Sequence, residues 1–304
     1  MTEPQKTIHQ SISVEGNGLH TGQTGTLIFH PAPVNHGIKF RRTDLASKPI
    51  IDANIDFVVS TARGTTLGKN EVSINTIEHV LAALTGLGID NVLIDLDVEE
   101  IPIMDGSSQH FVQALLKAGI MVQDAQKNYL VITETIIHEI PSKMIKIMIE
   151  PADSFSVTVE IDYETQVLGK QTAQLNHLAE FEKEIAPCRT FVFLHELEFL
   201  LQNNLIKGGD LSNAIVFINR QVNQQELDRL AKVFNKPTVK VKENGILNNL
   251  QLHFENEPAR HKLLDVIGDL TLLGKPIKGK ITAFRPGHQT NTEFARIIKH
   301  TLKV

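Results

Sequence analysis

The chain has 304 residues, enough for one large domain or two of ordinary size. Hydrophobic residues at 41% and charged residues at 21% are those of a globular chain, and a net charge of −5 removes the electrostatic case for nucleic acid as the main partner. One cysteine, Cys188, excludes an internal disulfide and fits a reducing compartment. The start, Met1 to Lys6, lacks a charged-then-apolar signal pattern, and no run approaches the roughly 18 apolar residues of a membrane span. A cytoplasmic location without a membrane span is therefore expected.

Residues 7–15 alternate apolar and polar and predict a strand. The loop Gly16-Asn17-Gly18-Leu19-His20-Thr21-Gly22 follows. Strands are predicted near 25–30 and 37–42, separated by Pro31 and Pro33, and the polar stretch 58–70 predicts a hairpin or an excursion. A helix is predicted from about Asn75 to Leu87, stopped by Gly86 and Gly88. A strand at 91–97 and a helix from Ser107 to Ala118 close the first half. The second half opens with strands at 129–139, 143–150 and 155–163, then an irregular piece around Pro187 to Phe191. An apolar helix is predicted at 195–206, a strand at 214–219 and a polar helix at 224–234. Last come a helix at 257–273, a strand at 278–284 and a helix at 292–302.

The halves end alike. Ala83-Leu84-Thr85-Gly86-Leu87-Gly88 lines up with Asp269-Leu270-Thr271-Leu272-Leu273-Gly274 at a constant offset of 186, and helix, strand and helix come in the same order in both. At that offset His79 falls opposite Asp265 and Val80 opposite Val266. Two similar α+β units would present these helices to a shared interface, where small-molecule sites usually lie.

The most informative stretch is His261 to Asp269. Residues four apart share a helix face, so His261, Asp265 and Asp269 form a stripe among Leu263, Leu264, Val266, Ile267 and Leu270. Buried ionisable groups are costly unless paired or holding a metal. The stripe is either a divalent-metal site or a hydrogen-bonded Asp/His pair within a core. Glu78-His79 is the second anchor. Its structural alternatives are a capping box between Asn75 and Glu78 and a core histidine. With His261 and Asp265, however, His79 completes a His₂Asp set, the ligand count of a catalytic zinc with an open position. A Glu beside such a site suits a general base. Arg285-Pro286-Gly287 puts His288 in a turn able to project into a cleft, with Asp269 placed to stabilise its charge. Thr190 could donate to an oxyanion, although most loop threonines cap turns.

Six dispersed motifs carry a resemblance. They are Gly18 to Gly22, Thr76 to Leu84 around Glu78-His79, Ile103-Met104-Asp105-Gly106-Ser107, Arg189-Thr190-Phe191, His261 to Asp269, and Pro286-Gly287-His288. In this order, over nearly the whole chain, they resemble the UDP-3-O-acyl-N-acetylglucosamine deacetylases, zinc amidases that commit Gram-negative bacteria to lipid A. The resemblance implies two similar α+β domains, each a β-sheet with a helix layer, packed helix layer to helix layer as a β-α-α-β sandwich. The expected domains are 1–126 and 127–304, the second with an acyl-passage insert at about 191–220. The resemblance implies Zn2+ held by His79, His261 and Asp265, Glu78 as base, His288 with Asp269 as the acid or electrostatic partner, and Thr190 at the oxyanion. It further implies that Lys262 and Arg285 contact sugar and diphosphate, that Tyr163 stacks on uracil, that Phe191 and His20 contact substrate, and that 195–206 lines the acyl passage. Val192 stands where that family usually has Gly. The sequence also resembles the subgroup in which a 3-hydroxyacyl-ACP dehydratase follows in the same polypeptide, and the end at Lys299-His300-Thr301-Leu302-Lys303-Val304, straight after a helix, fits the first part of such a fusion.

Overall fold

A computed structural model describes residues 3–203, 207–247 and 250–303. The first half runs β1 (Pro4–Ile8), β2 (Ile12–Asn17), β3 (Thr24–Pro31), β4 (Ile38–Arg42), β5 (Ile50–Asp52), β6 (Val58–Ser60), β7 (Thr66–Lys69), β8 (Val72–Ile74), α1 (Glu78–Gly86), β9 (Val92–Leu96), α2 (Gln109–Ala118) and β10 (Ile120–Gln126). The second runs β11 (Leu130–Val131), β12 (Ile136–Ile140), β13 (Ile145–Glu150), β14 (Phe155–Asp162), β15 (Lys170–Leu175), α3 (Phe181–Glu184), β16 (Phe191–Phe193), α4 (Leu194–Gln202), β17 (Ile215–Phe217), α5 (Gln224–Val233), α6 (Glu257–Thr271), β18 (Ile277–Phe284) and α7 (His288–Leu302).

The fold is α+β, and the repeat reaches further than the short sequence match. One sheet has the order β2-β3-β9-β4-β5 and the other β12-β13-β18-β14-β15. In both, the third and fourth strands of that order run parallel and every other neighbour is antiparallel. The strands alternate as one-sided sheets demand: Leu27 and Phe29 of β3, and Phe155, Val157, Val159 and Ile161 of β14, all turn inward. Between the sheets, α1 packs on α6, and both helices are buried along most of their length. Their contact is close because Gly268 has no side chain: a Cβ there would sit 2.2 Å from the Glu78 carbonyl oxygen. Thr85 and Thr271, exact counterparts at the 186 offset, touch hydroxyl to hydroxyl at 2.6 Å. Thr271 already donates to the Ile267 carbonyl, so Thr85 is the donor.

Several elements differ from their predicted form. The strand expected at 7–15 breaks at His9 to Ser11: β1 leaves to pair with β10, an unpredicted strand, while β2 joins the main sheet. The strand expected at 129–139 is likewise two pieces, β11 and β12, on different partners. Residues 58–74 form a small antiparallel sheet, β6-β7-β8. The capping box at Asn75 does not form. Thr76 has φ +60°, the helix begins at Glu78, and Ile77 occupies the cap without a side-chain bond. His288 is not in a turn but is the first residue of α7, four residues before the predicted start.

The insert carries a second hydrophobic core, reaching from Leu194 and Leu197 on α4 through Val216 and Ile218 to Leu230 and Phe234 near α5, and on to Leu247. This core extends past residue 220 to Leu247. Leu197, expected to line a passage, is 4% exposed within this core, whereas Phe199 is 59% exposed. Period-3.6 helical geometry sends these two, only two residues apart, to different sides. The Leu201 side chain and residues 204–206, also expected at the passage, lie outside the described residues. Val192 packs against the insert core.

Candidate active site

Helix α6 presents His261, Asp265 and Asp269 on one buried face. The His261 Nδ1–H donates to the Cys188 carbonyl at 3.0 Å, since a carbonyl only accepts. This fixes the tautomer and leaves Nε2 as a bare lone pair, 3.5 Å from Asp265 Oδ1. From α1, His79 Nε2 comes within 3.9 Å of the same oxygen, and the two imidazoles meet edge to face with centroids 5.0 Å apart. One ligand atom from each of His79, His261 and Asp265 lies within 4.8 Å of the other two.

The three residues fit a divalent ion. Asp265 Oδ1 is buried and accepts no hydrogen bond among the described residues, although a buried carboxylate oxygen left alone is costly. It is aimed at two imidazole nitrogens, and the donor set is one that Zn²⁺ accepts. The protonation states agree. Burial, then the neighbouring His261, lowers the His79 pKa to about 3, and burial also lowers that of His261. Burial opposes ionisation of Asp265, but Lys262 above all, with the three histidines, holds it well below the usual carboxylate range. Neutral imidazoles and an ionised carboxylate are the metal-binding forms.

Beside this set stand a buried carboxyl, Glu78, and a histidine, His288. Burial, with Asp269 and Asp265 nearby, raises the Glu78 carboxyl to about 7 against the pull of His288. Glu78 Oε2 accepts from the Thr65 backbone N–H at 2.9 Å, while Oε1 faces His288 Nε2 at 3.6 Å. His288 Nδ1–H donates to Asp269 Oδ2 at 2.9 Å. Burial disfavours the charged imidazole, but Asp269, Glu78 and Asp265 outweigh it and raise His288 to about 10. Asp269 is fully engaged, accepting also from Asn291 Nδ2 at 2.8 Å and from the Thr65 hydroxyl.

The remaining predicted residues fall around this centre. Lys262 Nζ donates to Asp265 Oδ2 at 2.8 Å and lies 5.5 Å over the Phe191 ring. Tyr163 packs edge-on against Phe191. It also lines a cleft of about 360 Å³ with Asp162, Glu164, Arg285 and Pro286. Arg285 is turned onto Glu164 at 2.7 Å and Asp162 at 3.4 Å, with its Nε buried and without a hydrogen-bond partner among the described residues. Thr190 is held by its backbone, donating to Gly106 O and accepting from Ile215 N, and its hydroxyl makes no hydrogen bond among the described residues. The His20 ring lies against the Arg63 carbonyl, and Glu100 accepts from the backbone N–H groups of His20 and Thr21. A larger groove of about 1100 Å³ lies at the far ends of α1 and α6 and contains none of the predicted site residues.

Sequence reasoning missed Thr65, Asn291, the Cys188 carbonyl and Glu100. It also missed a clamp, the buried Glu257 carboxylate, which accepts from Arg189 N, Nε and Nη2 and from His253 N. The clamp ties the Cys188–Thr190 loop to the start of α6. No periodic pattern marks these residues, because most of their partners lie on other elements, as Arg189 does for Glu257, 68 residues apart.

The chain matches the family described as LpxC, UDP-3-O-acyl N-acetylglycosamine deacetylase, over residues 5–236 and 233–300. It is 51% identical over 298 residues to a "Bifunctional enzyme LpxC/FabZ" of Chlorobaculum tepidum, covering 97% of this chain and 64% of that protein. A protein of the same name from Bacteroides thetaiotaomicron is 46% identical, covering 99% of this chain and 65% of that protein. The chain thus spans just under two thirds of the length of these relatives. A UDP-3-O-acyl-N-acetylglucosamine deacetylase of Myxococcus xanthus is 40% identical, covering 96% of this chain and 85% of that protein.

Proposed function

The chain belongs to the UDP-3-O-acyl N-acetylglycosamine deacetylase family, and from that premise we propose that it hydrolyses the N-acetyl group of UDP-3-O-(3-hydroxyacyl)-N-acetylglucosamine, releasing acetate in the committed step of lipid A biosynthesis. One observation carries the proposal: an orphaned Asp265 oxygen aimed at the Nε2 atoms of two imidazoles, with the Glu78 carboxyl and His288 beside it. His79, His261 and Asp265 would hold Zn2+, which when bound polarises the amide carbonyl and makes water a stronger acid near neutral pH.

The chain's own residues do the rest. Glu78 Oε1 takes a proton from the attacking water as its oxygen bonds to the acetamide carbon. The Thr190 hydroxyl donates to the oxyanion that develops. As the C–N bond breaks, His288 Nε2–H gives its proton to the departing amine, leaving acetate and a free glucosamine. The proton on Glu78 then resets His288 across 3.6 Å, in keeping with a His288 pKa of about 10 above a Glu78 pKa of about 7. Asp269 keeps His288 charged and aimed.

Lys262, Phe191, His20, Tyr163 and Arg285 bind the sugar nucleotide, with the cleft beside Tyr163 taking the nucleotide end. The domains divide near 126/127, the enzyme works in the cytoplasm, and a dehydratase domain follows in the same polypeptide. No helix among the described residues is long and apolar enough to cross a membrane. The printed names of the bifunctional relatives support the dehydratase, and sequencing the reading frame beyond Val304 tests it. Acetate release from the UDP-acyl-sugar, measured with and without a chelator, tests the activity: it should appear only with metal present. No release by the metal-loaded protein would overturn the proposal.

A further inference from the structure

The excursion between β6 and β7 wraps the Glu78 carboxylate. Gly64 sits at φ +157°, and a Cβ there would lie 2.8 Å from Glu78 Oε1. The next residue, Thr65, is fully buried and reaches two carboxylates at once. Its backbone N–H binds Glu78 Oε2 at 2.9 Å, and its hydroxyl donates to Asp269 Oδ1. Its carbonyl accepts from Ile77 N at 3.3 Å, fixing the entry to α1. Glu78 starts α1 and Asp269 lies on α6, 191 residues further on, so Thr65 is a third element spanning the two halves.

We propose that Thr65 is a positioning residue that holds the base and the partner of the acid in one rigid frame. With Oε2 committed to the Thr65 N–H, Oε1 is the oxygen left to face His288 and to take a proton. With Asp269 Oδ1 committed to the Thr65 hydroxyl, Oδ2 is left to orient His288. Gly64 supplies the room, since any side chain there would push Oε1 away. A threonine meets this need because its β-branched side chain is stiff at χ1 and holds the hydroxyl in place. The hydroxyl approaches His288 only at Nδ1, 3.4 Å away, and not at Nε2, which gives the proton, so its effect falls on turnover through the geometry of Asp269 and the His288 ring.

This rests on the deacetylase assignment, and the test separates the two. Thr65→Val keeps shape and backbone donor and removes only the hydroxyl; Thr65→Ser restores it. In the metal-loaded protein, kcat should fall about 10–100-fold in Thr65→Val, as for loss of other outer-shell partners, with KM within about twofold. Thr65→Ser should recover most of that loss. Metal affinity, by chelator competition, should stay close to wild type in both; Thr65→Val, which leaves the buried Asp269 Oδ1 without its donor, should melt lower, and Thr65→Ser should recover that loss. Should Thr65→Val not fold, Thr65→Ala against Thr65→Ser carries the same comparison. Wild-type kcat without the hydroxyl, or a loss that Ser does not rescue, or a loss confined to KM or metal content, would overturn the role of Thr65. An inactive wild-type protein would instead sink the deacetylase assignment.

Discussion

Helices α1 and α6 occupy equivalent places in two sheets of identical strand order, yet they bring different side chains to the site. At the 186 offset only His79 and Asp265 are counterparts with ligand atoms in both halves. Opposite His261 stands Asn75, opposite Lys262 stands Thr76, opposite Asp269 stands Ala83, and opposite the base Glu78 stands Leu264. Helix α6 has 15 residues and α1 has nine; the difference is mostly a missing first stretch, where Thr76 at φ +60° leaves the helical path. Two similar scaffolds thus divide the labour: one brings His261 and Asp265 of the candidate metal set, the other brings His79 and a buried carboxylate, Glu78, at the start of a helix. The contacts His79–Asp265 and Thr85–Thr271 both join counterpart residues and so mark the line about which the halves are related.

The strongest way to break this contrast is Glu78→Gln. If the first half supplies the base, kcat in a fully metallated protein should fall by about 10²–10⁴ while metal affinity and folding hold. Near-normal turnover would return Glu78 to a structural part. The contrast sharpens with Asp265→Ala, which removes the one oxygen that both imidazoles face. Metal affinity by chelator competition should drop by more than the roughly 10–100-fold typical of an outer-shell loss, and full occupancy at unchanged affinity would exclude it as a ligand.

A smaller effect is expected at Asp269, where the second half reaches the proton chemistry. Wild-type kcat should rise through an apparent pKa near 7 and fall through one near 10, as macroscopic values of the Glu78–His288 pair. Asp269→Asn removes a carboxylate that raises His288, so the falling limb should move to lower pH. The same shift acts on stability. With His288 raised from 6.5 to about 10 in the folded chain, its contribution is full below about 6.5 and fades as pH rises through 10. Thermal melts of the metal-free protein from pH 6 to 11 should show that loss in wild type and a weaker one in Asp269→Asn.

The second hydrophobic core, from Leu194 to Leu247, belongs to the second half alone. Leu197→Ala should cost about 2–5 kcal/mol of insert stability by opening a cavity, read as faster local hydrogen exchange around α4 and α5. Phe199→Asp should leave that exchange unchanged. The smallest effect is expected at the symmetry line: Thr85→Val should cost about 1 kcal/mol by chemical denaturation, with most of it absent in a Thr271→Val background.

Much of the candidate site was legible because the residues it brings together obey helical arithmetic. Spacing of four put His261, Asp265 and Asp269 on one face, and the 186 offset set His79 against Asp265. The polar supports were not legible: Thr65 and Cys188 act through backbone groups, Thr65 also across 204 residues, and Asn291 reaches Asp269 from a different helix, 22 residues on, where no periodic spacing links them. Breaks in periodic segments were hidden too. The alternation of 7–15 continues through His9 to Ser11, and only the choice between two sheets bends the chain there. The passage reading of 195–206 failed at Leu197 because apolar residues alone do not say whether they face a cavity or each other.

The bare Cα of Gly268 is a gauge for the whole catalytic arrangement. It lets the backbone of α1 rest against α6 at the residue that carries the Glu78 side chain. A single methyl group there would act as a shim, lifting α1 and carrying Glu78 and His79 away together from Asp265, although no functional group had been altered. Misplacement of about 1 Å is enough to lose on the order of 10²-fold in rate. The tolerance of the site is therefore set by a hydrogen atom on the neighbouring helix, in a position that has no chemistry of its own.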